Sequence, residues 1–433
     1  MPQRLNASDP KFAAQFAEFL TAKRDTEAKA DRAAADIVAA VRAEGDPALF
    51  AYTQRFDRFP LGPDTIRIRP EEMAAAFEAT PAEQREALEL AAARIRAFHE
   101  AQRPADLNWT DDAGVRLGLR WTALDSVGVY VPGGTAAYPS SVLMNVVPAK
   151  VAGVRRIAMA VPTPDNQLNP LVLAAAHVAG VDEAYRIGGA QAVAALAYGT
   201  DSVPAVDKIV GPGNAYVAAA KRLVFGKVGI DTIAGPSEVL IVAEQGQAPA
   251  EWLAADLLAQ AEHDTAAQSI LISDSAALLD EAEKAVTATL ARLPRGEIAA
   301  ASWRDHGALI LVPNLDAAAP LVNAIAPEHL QLVLADADGF AAKVRHAGAI
   351  FLGAATPEAA GDYVGGPNHV LPTDRSARFS SGLGLYDFLK RTTLLGCSPE
   401  ALRRIGPAAV TLAEAEGLGA HALSVALRLG SER

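Results

Sequence analysis

The chain has 433 residues, enough for about two to four domains with a buried core. Its formal net charge of −12 argues against nucleic acid or an anionic membrane surface as the main partner. The single cysteine, Cys397, excludes an intrachain disulfide framework and a cysteine-rich zinc site. The N-terminus lacks the apolar core of a secretory signal, and no apolar run approaches the length of a membrane span. These features predict a soluble, cytoplasmic protein.

The first part of the chain is predicted to be mainly helical. Residues 11–50 place apolar side chains at helical spacing, and residues 71–103 form a long amphipathic region that ends at Pro104. Residues 114–121 instead alternate between apolar and polar side chains, which predicts a half-exposed strand.

Strands and helices alternate from about residue 125 onward, with glycine at several strand exits. This pattern is typical of a parallel sheet covered by helices. A second alternating region runs from residues 237–244, SEVLIVAE, to residues 348–353, GAIFLG, so two α/β units are expected. After residue 374 the pattern fades into a helical tail, in which Ser398 is a predicted N-cap with proline at the first helical position. This tail is too small to form a hydrophobic core of its own, so we expect it to pack against another surface.

Three glycine-rich strand exits suggest an anion site: YVPGG at 130–134, RIGG at 186–189 and VGPG at 210–213. Free backbone N–H groups and the helix dipole favour an anion at the helix that follows each loop. None of the loops is a GxGxxG fingerprint, and each alone could simply form a tight turn. Together they face one carboxyl edge of a sheet, which favours a nucleotide-like ligand.

A cation site is indicated by Gln260 and His263 within residues 256–269, DLLAQAEHDTAAQS. Residues three apart share a helix face, so the amide oxygen and the imidazole nitrogen can converge on one ion. Asp362 and His421 are the best further candidates, and such an N/O set suits zinc, or manganese or cobalt. The alternative is a helix end whose histidine caps carbonyl groups.

Glu328 and His329 are adjacent in APEHLQL, immediately before a predicted strand. Neighbouring side chains diverge there, which suits two separate proton-transfer roles at one site. The alternative is an exposed polar turn. Tyr363 and His369 lie in a loop rich in glycine and proline, where functional residues are common. Structural or solvated roles are predicted for the remaining histidines: His99, His177, His306 and His346.

A series of motifs from about residue 125 to the C-terminus resembles, in order, the histidinol dehydrogenase family. The motifs are VGVYVPGGTAAYPSSVLMNVVPAKVAGV, KIVGPGNAYVAAAKRLVFGKVGID, AGPSEVLIVAE, DLLAQAEHDTAAQS, APEHLQL, GPNHVLPT, ARFSSGL and EGLGAHALSVALR. Each motif alone is weak, whereas the ordered combination is highly specific. The first 120 residues are less distinctive.

The resemblance implies an NAD-dependent, zinc-containing enzyme that oxidises L-histidinol through L-histidinaldehyde to L-histidine, using two NAD⁺. The implied zinc ligands are Gln260, His263, Asp362 and His421. The implied acid/base pair is Glu328 and His329. The implied substrate contacts are Ser237, His369 and Glu416, with His329 and the zinc ligands themselves. The implied NAD contacts are Tyr130, Gln191 and Asn214.

The same resemblance implies an α/β protein with two incomplete Rossmann-like parallel-sheet domains. The implied division begins with an N-terminal helical arm at 1–24 and ends with a dimerisation tail at 381–433. The first α/β domain covers 25–126 and 238–380 and carries the zinc and acid/base residues. The second α/β domain covers 127–237 and lies on the NAD side. The tail is implied to be exchanged in a homodimer, so that Glu416 and His421 complete the partner's site.

Three alternatives remain open on the sequence. A zinc hydrolase would use Glu328 as its base and need no nucleotide. A non-catalytic nucleotide-binding protein would show no metal dependence. A related dehydrogenase on the same scaffold would act on another small diol or amino alcohol. A thiohemiacetal route is not expected, because Cys397 lies outside every one of these motifs.

Overall fold

The computed structural model describes residues 1–21, 27–133, 138–233 and 235–430. Part of the predicted helical stretch 11–50 and the last glycine of YVPGG, Gly134, lie outside the described residues. The chain divides into two compact units: unit 1 is Met1–Ala101 with Asp125–Asp387, and unit 2 is Gln102–Leu124 with Phe388–Arg433.

The strands, in chain order, are β1 Gln3–Asn6, β2 Arg67–Ile68, β3 Leu107–Thr110, β4 Val115–Ala123, β5 Ser126–Tyr130, β6 Arg156–Ala160, β7 Glu183–Tyr185, β8 Lys208–Val210, β9 Gly229–Ile230, β10 Glu238–Ala243, β11 Gln268–Ser273, β12 Ala308–Leu311, β13 His329–Val333, β14 Ala349–Leu352 and β15 Leu389–Cys397.

The α-helices are α1 Phe12–Thr21, α2 Glu27–Glu44, α3 Asp46–Asp57, α4 Pro70–Ala79, α5 Ala82–Glu100, α6 Pro139–Ala152, α7 Pro170–Ala179, α8 Gly189–Tyr198, α9 Ala215–Val224, α10 Ala250–Ala261, α11 Ala276–Leu290, α12 Gly296–His306, α13 Ala318–Ile325, α14 Ala337–Ala341, α15 Glu358–Tyr363, α16 Pro399–Ala415 and α17 Gly419–Arg428. Short 3₁₀ turns cover Pro164–Asn166, Leu315–Ala317, Ser376–Arg378 and Leu385–Phe388. None of the helices in these described ranges combines the length and apolar character needed to cross a membrane.

Sheet I, in unit 1, has the strand order β2-β7-β6-β5-β8-β9. Its neighbouring strands are parallel, except that β2 runs antiparallel to β7. The chain adds β6 and β7 on one side of β5, then β8 and β9 on the other. The loops after β5 and β8 therefore flank the reversal of strand order at the carboxyl edge, which is where open α/β sheets bind ligands. The predicted parallel, helix-covered sheet is confirmed.

Sheet II, also in unit 1, has the order β1-β12-β11-β10-β13-β14 and is parallel throughout. Leu240 and Val242 of β10 pack in one core, whereas Val239 and Ile241 pack in another. Since successive strand residues point to opposite faces, both faces of β10 are covered. A strand buried on both faces needs a nearly continuous apolar run, which explains the sequence EVLIVA.

Unit 2 is built from the antiparallel sheet β15-β4-β3 and the helix pair α16 and α17. The helices share a small apolar cluster of Val410, Ala413, Ala422 and Ala426. Large apolar side chains remain exposed in this unit, among them Leu395 at 71%, Leu412 at 64% and Leu427 at 57%. Several large apolar side chains of this unit therefore lie outside its apolar cluster.

Several sequence-based expectations need correction. The fading region after residue 374 contains β15, whose partner β4 is distant in sequence and could not be seen from local pattern. In the tail after Ser398, α16 continues through Pro407 to Ala415, and α17 follows it. Helix α12 was not predicted. Residues 34–66, which the domain division placed with 238–380, contribute apolar side chains to the core of sheet I.

Candidate active site

The predicted acid/base residues lie at the amino end of sheet II, where β10 and β13 run side by side. Val239 of β10 is in register with His329 of β13. Helix α13 ends at Ile325, and its C-cap Ala326 has a left-handed φ of 50° that turns the chain toward β13. Backbone of this kind is uncommon for alanine and tends to occur at functional sites, where the surrounding structure holds it. The turn delivers Glu328 and His329 to one edge of the sheet.

Glu238, the first residue of β10, anchors both side chains through its backbone. Its N–H group donates to Glu328 Oε2 over 2.8 Å, and its carbonyl oxygen lies 2.9 Å from His329 Nδ1. The two predicted acid/base residues are themselves close, with 3.7 Å between His329 Nδ1 and Glu328 Oε2. Both are buried, at 3% and 6% exposure. The exposed polar turn that was the alternative is thereby excluded.

The contact with the Glu238 carbonyl defines the chemistry of the His329 ring. A carbonyl oxygen only accepts, so Nδ1 carries a hydrogen and donates it. Nε2 is then the nitrogen that can take up a proton. This atom is buried without a hydrogen-bond partner among the described residues, and the nearest carboxylate oxygen, Asp362 Oδ1, is 3.5 Å away.

Burial and neighbouring charges shift the pKa values of both residues. Burial raises the pKa of Glu328 to about 8, although the adjacent His329 opposes the rise. Burial would lower the pKa of His329, but Glu328, Asp362 and Glu358 outweigh it and raise this pKa to about 10. A divalent cation at the same carboxylates would offset their negative charge and lower the pKa of the imidazole again.

Helices α10 and α15 bring an amide and two carboxylates to this edge. Gln260, in the last turn of α10, is 1% exposed, and its Nε2 donates to Glu358 Oε1. Glu358 and Asp362 lie four residues apart on α15 and therefore share a face. Burial raises the pKa of Glu358 to about 8. Burial would also raise the pKa of Asp362, but its interaction with the neighbouring His329 lowers it overall.

The donor atoms in this cluster fit a divalent cation. One potential ligand atom from each of His329, Glu358 and Asp362 lies within 4.8 Å of the others. Gln260 Oε1, His329 Nε2 and Glu358 Oε2 are all buried without a hydrogen-bond partner among the described residues. Buried polar atoms are rarely left unpaired, so a group that satisfies them is expected. Imidazole nitrogen with amide and carboxylate oxygens is a donor set suited to zinc.

Glu358 is the member of this cluster that the sequence analysis missed. Its signal was available: Glu358 and Asp362 form an acid pair at helical i, i+4 spacing after Pro357. A pair of acids on a short helix is usually solvated, so the spacing alone did not single it out.

His263 lies just beyond the end of α10, as predicted. Arg295 donates to the carbonyl oxygens of Glu262 and His263, over 2.8 and 3.2 Å, and so holds this helix end. Although part of the His263 ring reaches solvent, partial burial lowers its pKa, while the charge of Asp362 opposes the change. His263 and Asp362, two of the predicted zinc ligands, are therefore close enough to interact.

His369 also belongs to this neighbourhood. It is half-buried, and burial lowers its pKa against the opposing charge of Asp362. The next residue upstream, Asn368, donates to the Met144 carbonyl of α6 over 2.5 Å. The loop that carries His369 is therefore tied to the helix that follows β5 of sheet I.

The remaining predicted substrate residues occupy different places. Ser237 is half-buried directly before β10, and its carbonyl accepts the Gln268 N–H over 2.9 Å. Glu416 is the C-cap of α16 and His421 lies in the first turn of α17, both exposed. These two residues belong to unit 2, so unit 1 alone lacks them.

The predicted NAD residues lie at the carboxyl edge of sheet I. Tyr130 ends β5, and its hydroxyl accepts the Gly189 N–H over 3.0 Å at the start of α8. Burial raises the pKa of Tyr130 to about 12, so the phenol stays neutral. Gly211, after β8, has a φ of 109°, and a Cβ there would lie 2.1 Å from the Tyr130 carbonyl oxygen. Only glycine permits this close approach of the two loops.

Gln191 and Asn214 differ in how they are engaged. Gln191, in the first turn of α8, is 1% exposed, and its buried Oε1 lacks a hydrogen-bond partner among the described residues. Asn214 is the N-cap of α9, where its Oδ1 accepts the N–H groups of Tyr216 and Val217 over 3.1 and 3.2 Å. The Asn214 oxygen is therefore used to begin the helix, which leaves its NH₂ group for a ligand. The glycine-rich loops and the unpaired Gln191 oxygen fit a nucleotide.

Comparison with known proteins covers nearly the whole chain. The family model for histidinol dehydrogenase matches residues 20–429. A curated histidinol dehydrogenase from Ruegeria pomeroyi is 62% identical over 429 residues, covering 99% of each chain. One from Rhodospirillum rubrum is 61% identical over 430 residues, with the same coverage. The crystal structure of histidinol dehydrogenase from Elizabethkingia anophelis matches with a TM-score of 0.94 at 34% identity, covering 99% of this chain and 98% of that one. This chain belongs to the histidinol dehydrogenase family.

Proposed function

We propose that this enzyme oxidises L-histidinol to L-histidinaldehyde and then to L-histidine, as the last steps of histidine biosynthesis. The observation that carries the proposal is the buried Glu328–His329 pair, anchored by Glu238. Buried polar atoms that lack hydrogen-bond partners among the described residues lie beside this pair. Family membership identifies the substrate class, and this geometry supplies groups for the proton transfers. The proposed zinc ligands are Gln260, His263, Asp362 and His421 of a second copy.

Two bound groups complete the chemistry. Zinc would hold the amino and imidazole nitrogens of the substrate, and NAD⁺ would accept hydride, one NAD⁺ for each oxidation. Gln260 Oε1, which lacks a hydrogen-bond partner among the described residues, and the exposed His263 ring supply donors of the type that zinc prefers.

His329 acts as the base in both oxidations. Its Nδ1–H is held by the Glu238 carbonyl, so Nε2 faces the reacting alcohol. In the first step Nε2 takes the hydroxyl proton as the carbinol carbon loses hydride, which yields the aldehyde. The first proton must pass to solvent before the second oxidation. Nε2 then takes a proton from the aldehyde hydrate as the hydrate carbon loses hydride, which yields the carboxylic acid.

Glu328 serves the step between the two oxidations. Adding water to the aldehyde requires a base that removes a proton from the water as its oxygen attacks the carbonyl carbon. A carboxylate whose pKa is raised to about 8 by burial is a far better base than an ordinary glutamate. Its Oε2 is held by the Glu238 N–H, which keeps the group from rotating away.

Substrate recognition is assigned to Ser237, His369 and Glu416, and Glu416 would pair with the cationic end of the amino alcohol. Because Glu416 and His421 lie on exposed helices of unit 2, we assign them to the site of a partner in a homodimer with exchanged tails. The apolar side chains exposed in unit 2 are the surface expected to be covered in that dimer.

NAD⁺ is assigned to the carboxyl edge of sheet I, with contacts from Tyr130, Gln191 and Asn214. The supporting observation is that the loops after β5 and β8 flank the reversal of strand order. The first turn of α8, which has no side-chain cap, supplies N–H groups there for the pyrophosphate.

The direct test mixes the purified enzyme with Zn²⁺, L-histidinol and NAD⁺ and measures NADH and L-histidine. Two NADH for each histidine are expected. A zinc hydrolase or a non-catalytic nucleotide-binding protein would form no NADH. A panel of small diols and other amino alcohols distinguishes the third alternative, which predicts faster oxidation of one of them than of histidinol.

A further inference from the structure

Glu358 is a buried carboxylate that the mechanism above does not use. It begins α15 and is 1% exposed, as is Gln260, which donates to it through Nε2. Carboxylates are almost never fully buried unless paired, and this one is paired with an amide that carries no charge. The amide that pairs with Glu358 belongs to a proposed zinc ligand, so the contact can affect zinc binding.

The contact controls which end of the Gln260 side chain faces the site. A glutamine amide can present either its oxygen or its NH₂ group, since the terminal torsion is soft and roughly two-fold. An ionised carboxylate only accepts and therefore selects the NH₂ side, and a nearby cation favours the ionised form of Glu358. With Nε2 turned toward Glu358, the amide oxygen of Gln260 points elsewhere, and it is buried without a hydrogen-bond partner among the described residues.

Among the proposed zinc ligands, the neutral amide oxygen of Gln260 is the weakest. Its contribution to zinc affinity therefore depends most on how the amide is oriented. Partners in the outer shell of metal sites commonly hold a ligand in its productive orientation, and losing one costs about 10- to 100-fold in metal affinity. We propose that Glu358 is a positioning residue that holds the Gln260 amide with its oxygen toward the cation. This inference rests on the proposed function, in which Gln260 is a zinc ligand.

A competing role for Glu358 is that of a direct ligand. Its Oε2 is buried without a hydrogen-bond partner in the described part of the chain, and it lies near potential ligand atoms of His329 and Asp362. The two roles differ in one respect. A positioning residue acts through Gln260, whereas a direct ligand contributes whether or not Gln260 is present.

A double-mutant cycle on the full-length enzyme separates these roles. Zinc affinity is measured by competition with a chromophoric chelator for the wild type, Glu358→Leu, Gln260→Ala and the double variant. We expect Glu358→Leu to weaken zinc binding by about 10- to 100-fold in the wild-type background and by less than about three-fold in Gln260→Ala. Equal losses in both backgrounds would overturn the positioning role and identify a direct ligand. An unchanged affinity in both backgrounds would overturn both roles.

Glu358→Gln protects the test against a folding defect, because it keeps the shape of the side chain. Its amide can present oxygen or NH₂ to Gln260, so a smaller loss than that of Glu358→Leu is expected, again only when Gln260 is present. The matched control is Asp256→Asn, which alters a similar carboxylate–amide pair one turn earlier on α10, where Gln331 Nε2 donates to Asp256 Oδ2 over 2.7 Å. Its zinc affinity should stay at the wild-type value.

The single variant Gln260→Ala tests the proposed function separately. If it binds zinc as tightly as the wild type, Gln260 is not a ligand, and both the ligand set and the positioning role fail. If it binds zinc weakly while Glu358→Leu binds normally, the ligand set stands and only the positioning role fails.

Discussion

His329 Nδ1 lies 2.9 Å from the backbone carbonyl oxygen of Glu238, so the orientation of this imidazole is set by the main chain of the neighbouring strand. The N–H of the same Glu238 residue holds the Glu328 carboxylate. A main-chain anchor does not depend on the identity of the side chain at 238. It persists for as long as β10 and β13 stay paired, which makes the acid/base geometry a property of the sheet.

Glu328→Gln should separate the two oxidations. The amide oxygen of glutamine can still accept the Glu238 N–H, so the geometry is retained, but the amide cannot take a proton from water. We expect the first oxidation to proceed and histidine formation to fall by about 10²- to 10⁴-fold. The measurement is NADH and histidine formed for each histidinol consumed, with a carbonyl reagent to trap the aldehyde. Two NADH for each histidinol at the wild-type rate would exclude the assigned role of Glu328.

Mixing two inactive variants should restore activity if each site is shared between copies. His263→Ala damages the part of the site carried by unit 1, and His421→Ala damages the part carried by the tail. In a mixed dimer one site carries both changes and the other carries neither. After co-refolding of equal amounts, half of the dimers should be mixed. About a quarter of all sites in the mixture should then carry neither change.

The activity of the mixture and its zinc content, compared with those of each variant alone, check this expectation. A site formed within a single chain predicts no recovery at any mixing ratio. A mixture of wild type with either variant provides the control for efficient refolding.

Lys221→Met should destabilise the enzyme and disturb the loop after β8. Lys221 and Asp231 form a buried ion pair, and both also hold the backbone of Gly211. Lys221 Nζ donates to the Gly211 carbonyl over 3.0 Å, and the Gly211 N–H donates to the Asp231 carboxylate over 2.7 Å. Leaving the Asp231 charge unpaired should lower the free energy of unfolding by about 3–5 kcal/mol. The KM for NAD⁺ should rise more than the KM for histidinol.

Chemical unfolding and steady-state kinetics measure these effects. The control is Arg304→Met, which removes an exposed pair with Asp305 and should leave the free energy of unfolding nearly unchanged. Equal changes in the two KM values would show that the buried pair does not act on the NAD side.

His99 should make the folded state less stable in mild acid. The residue is completely buried on α5, its Nδ1 contacts the Ile95 carbonyl over 2.7 Å, and burial lowers its pKa from 6.5. Below pH 6.5 the unfolded chain therefore binds a proton that the folded chain does not, so this contribution to the free energy of unfolding falls as pH falls.

His99→Gln removes the titrating group and keeps a donor for Ile95. The variant should lose less stability than the wild type between neutral pH and pH about 5, as measured by urea unfolding at each pH. If the variant loses as much free energy of unfolding as the wild type over this pH range, groups other than His99 cause the effect.

Local sequence patterns were sufficient for much of the architecture. The β-α alternation from residue 125, the end of α10 between Gln260 and His263, and the Ser398 N-cap with Pro399 at the first helical position were all predictable and are all present. These features depend on side-chain periodicity, capping and backbone preferences within a few residues. Such information is fully contained in a short stretch of chain.

The functional geometry depends on contacts between distant segments. Glu238 and His329 meet because β10 pairs with β13, and Gln260 and Glu358 meet because α10 ends where α15 begins. The contact between Glu358 and Gln260 therefore cannot be read from local sequence, and neither can the pairing of β15 with β4. Strand order and helix placement are decided by the burial of apolar faces over the whole unit, and no local pattern encodes that choice.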